Sequence, residues 1–203
     1  MSLLKSNYPI RTKPFWNFVR ATPATYILVV ILLFLTKPSK VTLYLLVSHM
    51  VLTLSVPILK ETVFRPIYYI FGKSNDKLPL FGLGRRPNGA TDCGAFLNFN
   101  NKLATSFGMP SGHSQLTWMV AAYLICYLYA ERDTLIEKTN KWKHHSRAVS
   151  IVFSVIIVLF AINVSYSRVY VEYCHTIQQV VIGGLLGVIM GIGVYVVQKK
   201  YIE

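Results

Sequence analysis

The feature that most constrains this chain is a succession of long apolar runs, Val41 to Leu59, Ser114 to Ala130, Ala148 to Tyr166 and Ile177 to Gln198, separated by polar and basic stretches. Runs of this length match a helix crossing a hydrocarbon layer, which takes about 20 residues. An earlier run, Pro23 to Thr36, is shorter and needs its flanking residues to complete a crossing. The expected fold class is therefore all-α, a polytopic membrane helix bundle of about five to six spans at 23–36, 41–59, 114–130, 148–166 and 177–198.

Composition agrees with this reading. The chain of 203 residues is 53% hydrophobic with a mean hydropathy of +0.45, too apolar for an ordinary soluble domain. A formal charge of +13 could signal nucleic acid, but the Lys and Arg sit between the apolar runs. Membrane-flanking cations and anionic lipid or phosphate ligands account for them, and no nucleic-acid partner is expected. Residues 1–22 combine Lys5, Arg11, Lys13 and Arg20 with Phe15, Trp16 and Phe18, which predicts an interfacial N-terminal segment ahead of a membrane-embedded domain over 23–203. No continuous apolar centre marks these residues as a cleavable signal. Cys93, Cys126 and Cys174 have no paired or metal-site spacing.

The polar residues carry the functional information. Residues 60–113 form a long loop, and loops of such length in compact proteins are usually functional. The loop ends in Pro110-Ser111-Gly112-His113, at the expected start of a span. Proline suits a helix's first turn, and small residues there let backbone N–H groups approach an anion. Spans alternate direction, so the end of the second, the start of the third, the end of the fourth and the start of the fifth share one face. That face collects Lys60, one or both of Arg85 and Arg86, Ser111, Gly112, His113, Arg168, His175 and Gln179. Such a surplus of fixed cations calls for an anionic guest, and arginine grips phosphate oxygens with its planar fork. Histidine can serve as nucleophile or acid.

Other features have plainer readings. His49, in mid-span, is expected to pack or to bond between helices. His144 and His145 fall in a charged connector, 131–147, read as a solvated basic loop. Gly183, Gly187 and Gly191 repeat every four residues and open a groove for a neighbouring helix, within one chain or between two.

The pattern of Lys60 with Arg86-Pro87, then Pro110-Ser111-Gly112-His113, then Ser167-Arg168 with His175 and Gln179 resembles the type 2 phosphatidic-acid phosphatase superfamily over about residues 41–197. The stretch from Ser167 to Gln179, with Gln in place of the common Asp, is most similar to the dolichyl-diphosphate phosphatases of that superfamily. Three departures stand out. The family sets its Lys and Arg-Pro closer together, and here Arg65-Pro66 is a nearer rival to Arg86. Cys174 is an extra residue before His175. Five spans are counted where six are typical.

The resemblance implies an integral membrane phosphatase acting on a polyprenyl diphosphate. His175 is the implied nucleophile, forming a phosphohistidine, and His113 the implied acid and base. Lys60, Arg86, Ser111, Gly112 and Arg168 bind the phosphoryl oxygens. Gln179 orients the nucleophile, with Glu172 supplying the charge that an Asp would give. No metal or cofactor is expected, since fixed cations take that role. The implied setting is the endoplasmic reticulum membrane of a eukaryote, with the site in the lumen; the positive-inside rule is nearly silent for this chain. Competing readings are a phosphatidate or sphingoid phosphate phosphatase, and an inactive relative that binds or scrambles lipid. A cysteine phosphatase built on Cys174 lacks the Arg that such chemistry needs about six residues on. The oligomeric state is left open.

Overall fold

The computed structural model describes residues 14–72, 84–87, 89, 90, 93, 94, 103–139 and 143–202. The chain forms helices α1 (Pro14–Thr36), α2 (Lys40–Leu59), α3 (Gly112–Thr139), α4 (Lys143–Tyr166) and α5 (Ile177–Tyr201). Four segments are long and apolar enough to cross a membrane: Pro14–Thr36, Lys40–Ile70, Arg147–Val171 and Ile177–Tyr201. Their outward faces carry Leu28, Leu35, Leu54, Ile156, Leu185 and Ile189, all exposed. An apolar surface on this scale has lipid as its solvent.

Several expected boundaries move. The first helix is described from Pro14 to Thr36. The expected boundary between residues 22 and 23 falls inside it, and the added turns make 23 residues, enough for a crossing. Residues 1–13 of the expected interfacial segment lie outside the described residues. The 131–147 connector is helical on both sides, α3 running to Thr139 and α4 starting at Lys143; the side chains of His144 and His145 lie outside the description. The loop expected from residue 60 is helical as far as Gly72, because α2 continues through a π-helical turn at Lys60–Phe64, a short α segment and a second π turn at Tyr68–Gly72. Likewise α4 passes into a π turn at Ser167–Val171.

The expected third span is α3, which is not among the four most apolar segments. It buries Ser114, Gln115 and Thr117 against its neighbours, so its polar side chains face protein rather than lipid. Its closest packing is along α5. A methyl group at Gly183 would run into the backbone of Ser111, just before α3, and one at Gly187 or Gly191 into the α3 backbone at Gln115 or Met119. The glycine stripe therefore joins two helices of one chain. His49 is buried and meets the Tyr26 ring edge-on, 6.4 Å between centroids, a packing role as expected.

Candidate active site

Helix α5 opens on a capping box. The Thr176 hydroxyl accepts from the Gln179 N–H, and Gln179 Oε1 accepts from the Thr176 N–H at 3.3 Å. The same Oε1 lies 3.0 Å from His175 Nδ1. An amide oxygen only accepts, so Nδ1 carries the proton and Nε2 keeps its lone pair. The orientation of this amide is fixed from the other side. Gln179 Nε2 donates to the carbonyls of Arg85 at 2.8 Å and Gly84 at 3.3 Å. One buried glutamine thus ties the loop before Arg86 to the start of α5 and sets the tautomer of His175.

His175 is 3% exposed, and its pKa lies well below the ordinary histidine value. Burial is the main cause, followed by the charges of Arg86 and Lys60. The imidazole is held neutral with Nε2 available for attack.

The cations converge on it by different routes. Arg86 donates from Nη1 to the Cys174 carbonyl at 3.1 Å, and from Nη2 and Nε to the Ser106 hydroxyl and carbonyl. The rival Arg65 is instead paired with Glu61 at 2.8 Å, and it shares a polar cavity of about 380 Å³ with Arg85 and Arg86. Arg168 is fully buried, its Nη1 bonded to the Cys93 carbonyl at 3.1 Å. Its own carbonyl accepts from the N–H groups of Cys174 and His175. Lys60 is buried in its π turn. Such turns shift the phase of a helix face and are frequent at functional sites; here they open the two segments holding Lys60 and Arg168.

The Pro110–His113 segment sits against α5. The Ser111 N–H donates to the Gln179 carbonyl at 3.0 Å, which corrects the expectation that it faces an anion. Helix α3 starts at Gly112, two residues after Pro110, so the proline precedes the first turn rather than occupying it. What remains open is the Ser111 hydroxyl. It is buried and has no partner among the described residues, and the same holds for Arg168 Nη2. Two orphaned buried donors beside a neutral imidazole are costly unless an acceptor completes them.

His113 contributes a second imidazole, buried, with Nε2 3.0 Å from the carbonyl of Arg20. That carbonyl only accepts, so Nε2 carries the proton and Nδ1 is left to exchange one. Arg20 itself lies 3.9 Å from Glu172 and donates from Nε to the Gly94 carbonyl. Glu172 is thus engaged by Arg20.

The structure brings Lys60, Arg86, Ser111, Gly112, His113, Arg168, His175 and Gln179 to one face. Sequence reasoning missed Arg20, read as interfacial, and the Cys93–Cys174 disulfide. No spacing rule pairs cysteines 81 residues apart, and only the place of Cys174 beside His175 hinted at a role.

Comparison with known proteins follows the same outline. The family model described as the PAP2 superfamily matches residues 41–203. Dolichyldiphosphatase 1 of Homo sapiens is 34% identical over 105 residues, covering 48% of this chain and 39% of that protein. Dolichyldiphosphatase of Saccharomyces cerevisiae is 29% identical over 92 residues, 45% of this chain and 34% of that one. Dolichyldiphosphatase 1 of Dictyostelium discoideum is 32% identical over 86 residues, 42% and 33% of the two chains. The matches thus span well under half the length of these relatives. No solved structure matches the chain.

Proposed function

This chain belongs to the PAP2 superfamily, and on that premise we propose that it is an integral membrane phosphatase that hydrolyses a polyprenyl diphosphate to the monophosphate. The observation that carries the reading is the pair of orphaned donors, Ser111 Oγ and Arg168 Nη2, on the face where Gln179 holds His175 ready to attack. A phosphoryl group supplies the acceptors that these donors lack.

In the proposed sequence His175 Nε2 attacks the terminal phosphorus. The Nε2–P bond forms as the bond to the bridging oxygen breaks, and the electron pair leaves with the lipid monophosphate. Lys60, Arg86 and Arg168, with the Ser111 hydroxyl and the Gly112 N–H, hold the non-bridging oxygens as charge redistributes. His113, with Nε2 committed to the Arg20 carbonyl, takes onto Nδ1 a proton that the substrate phosphate brings in, gives it to the departing oxygen, and then takes one from the water that cleaves the phosphohistidine. No metal is needed in this scheme, because the fixed cations supply the positive charge.

The lipid tail has a matching surface. An apolar cavity of about 420 Å³ opens between α3, α4 and α5, lined by Trp118, Tyr166, Val169, Ile177 and Val180 among others. Ile177 and Val180 lie in the first turn of α5, just after His175, so a hydrocarbon there and a phosphate at His175 suit one amphiphile. The dolichyldiphosphatase relatives favour a polyprenyl diphosphate over phosphatidate or a sphingoid phosphate, and an endoplasmic reticulum membrane suits such a substrate.

The test is phosphate release by the purified full chain in detergent with excess chelator, offered a polyprenyl diphosphate and phosphatidate in parallel. Release favouring the diphosphate, absent in His175→Ala, and a phosphohistidine mapped to His175 after acid-free quenching are the expected results. A folded protein that releases phosphate from neither lipid points instead to a relative that binds or scrambles lipid.

A further inference from the structure

Cys93 and Cys174 form a disulfide that closes a stretch of 81 residues, with both residues buried. Cys93 lies on the loop that also carries Arg86, and Cys174 is the residue directly before His175. Both site arginines touch the bonded pair. Arg86 Nη1 donates to Cys93 Sγ at 3.3 Å and to the Cys174 carbonyl at 3.1 Å. Arg168 Nη1 donates to the Cys93 carbonyl at 3.1 Å, and the Arg168 carbonyl receives the Cys174 N–H.

We infer that Cys93 and Cys174 are positioning residues: their disulfide sets where the guanidinium groups of Arg86 and Arg168 stand around the nucleophile. The inference rests on the reading of His175 as the reacting group. It also gives the extra residue in the His175 segment a purpose. The added cysteine reaches back to a loop that Gln179 fastens only through Gly84 and Arg85. With the bond cut, Cys93 is no longer tied to the His175 segment, and each arginine loses a fixed partner beside the phosphate. Two charge-assisted contacts are then free to wander, and the site should bind phosphate more weakly while the chemistry at His175 is largely kept.

The test uses the full chain in detergent. Proteolysis without reductant, after alkylation of the native protein, should yield a linked Cys93–Cys174 peptide and leave only Cys126 alkylated. Recovery of alkylated Cys93 and Cys174 overturns the inference. So does one equivalent of zinc retained with both thiols reduced, since donor atoms of Cys93, Cys174 and His175 lie within 4.8 Å of one another. Function is then compared between the oxidised protein, Cys93→Ser/Cys174→Ser, and the oxidised protein treated with dithiothreitol. The reagent closes to its cyclic disulfide as it delivers two electrons and two protons to the pair. Reduction in place keeps the test valid should the double variant fail to fold. The expected result is a rise of about 10-fold in KM and a matching loss of inorganic phosphate affinity by calorimetry, the scale of one charge-assisted hydrogen bond, with kcat little changed and recovery on reoxidation. A fall in kcat or in the folded fraction, with KM and phosphate affinity unmoved, would mean a merely structural bond and overturns the positioning role. Absence of turnover by the oxidised protein counts against the catalytic reading alone, because the linkage and the phosphate affinities are measured without it.

Discussion

Gln179 shows how one side chain can satisfy two demands that a carboxylate cannot. Its oxygen takes protons from His175 and from the Thr176 backbone, and its nitrogen gives protons to the carbonyls of Gly84 and Arg85. An Asp or Glu there would turn an oxygen toward two carbonyl oxygens. Gln179→Glu is therefore expected to lower stability by about 1–3 kcal/mol, the cost of leaving the Arg85 carbonyl without its donor, as read from thermal unfolding in detergent. The neutral state of His175 has a kinetic signature as well. Protonation abolishes nucleophilicity, and burial with Arg86 and Lys60 holds this pKa well below 6.5. Activity should then persist as pH falls through 6.5, and Arg86→Gln should shift the acid limb of kcat/KM upward. A limb at the ordinary histidine value in the native enzyme would contradict this. His113 allows a chemical discrimination. A leaving lipid phosphate, with a second pKa of about 6, needs little help from an acid, whereas the alkoxide leaving phosphatidate needs much. His113→Ala should slow phosphatidate cleavage far more than diphosphate cleavage, measured as single-turnover phosphoenzyme formation.

At the scale of elements, α1 has an unexpected part. It begins ahead of the residues that match the family, yet its Arg20 supplies the carbonyl that fixes His113 and the guanidinium beside Glu172. Arg20→Ala removes one of the two cations facing the buried Glu172 carboxylate, Arg168 being the other, and should destabilise by about 1–3 kcal/mol. Pairing it with Glu172→Gln should restore much of the stability; an additive double variant would show that the two side chains do not interact. The α3–α5 seam depends on the absence of side chains. Gly187→Leu has no room against the Gln115 and Met119 backbone and should destabilise by about 1–3 kcal/mol or more through overpacking. The same substitution at Gly193, where nothing lies within 4 Å of an added Cβ, should be tolerated, and unfolding of the two variants side by side checks this.

For the whole molecule, the sequence was most legible where one physical rule acts without competition. Apolar length located α2, α4 and α5, and alternation of direction alone places Lys60, Ser111, His113, Arg168, His175 and Gln179 on one face. Legibility failed where tertiary contacts decide. The weak run at Pro23 lies inside a helix that extends upstream to at least Pro14, and α3 holds Ser114, Gln115 and Thr117 only because its neighbours cover them. The π turns after Leu59 and Tyr166 follow no composition signal, and the pairing of Cys93 with Cys174 depends on a fold that brings distant segments together.

That pairing also acts as a chemical address. Disulfides persist in oxidising compartments and are scarce where glutathione keeps thiols reduced. On this ground we propose that the end carrying the bond, where the phosphate would sit, faces the exoplasmic side. In that orientation the proposed hydrolysis would release inorganic phosphate on the exoplasmic side and leave the shortened lipid in that leaflet, and returning either product to cytosolic metabolism would require a further transport step across the bilayer.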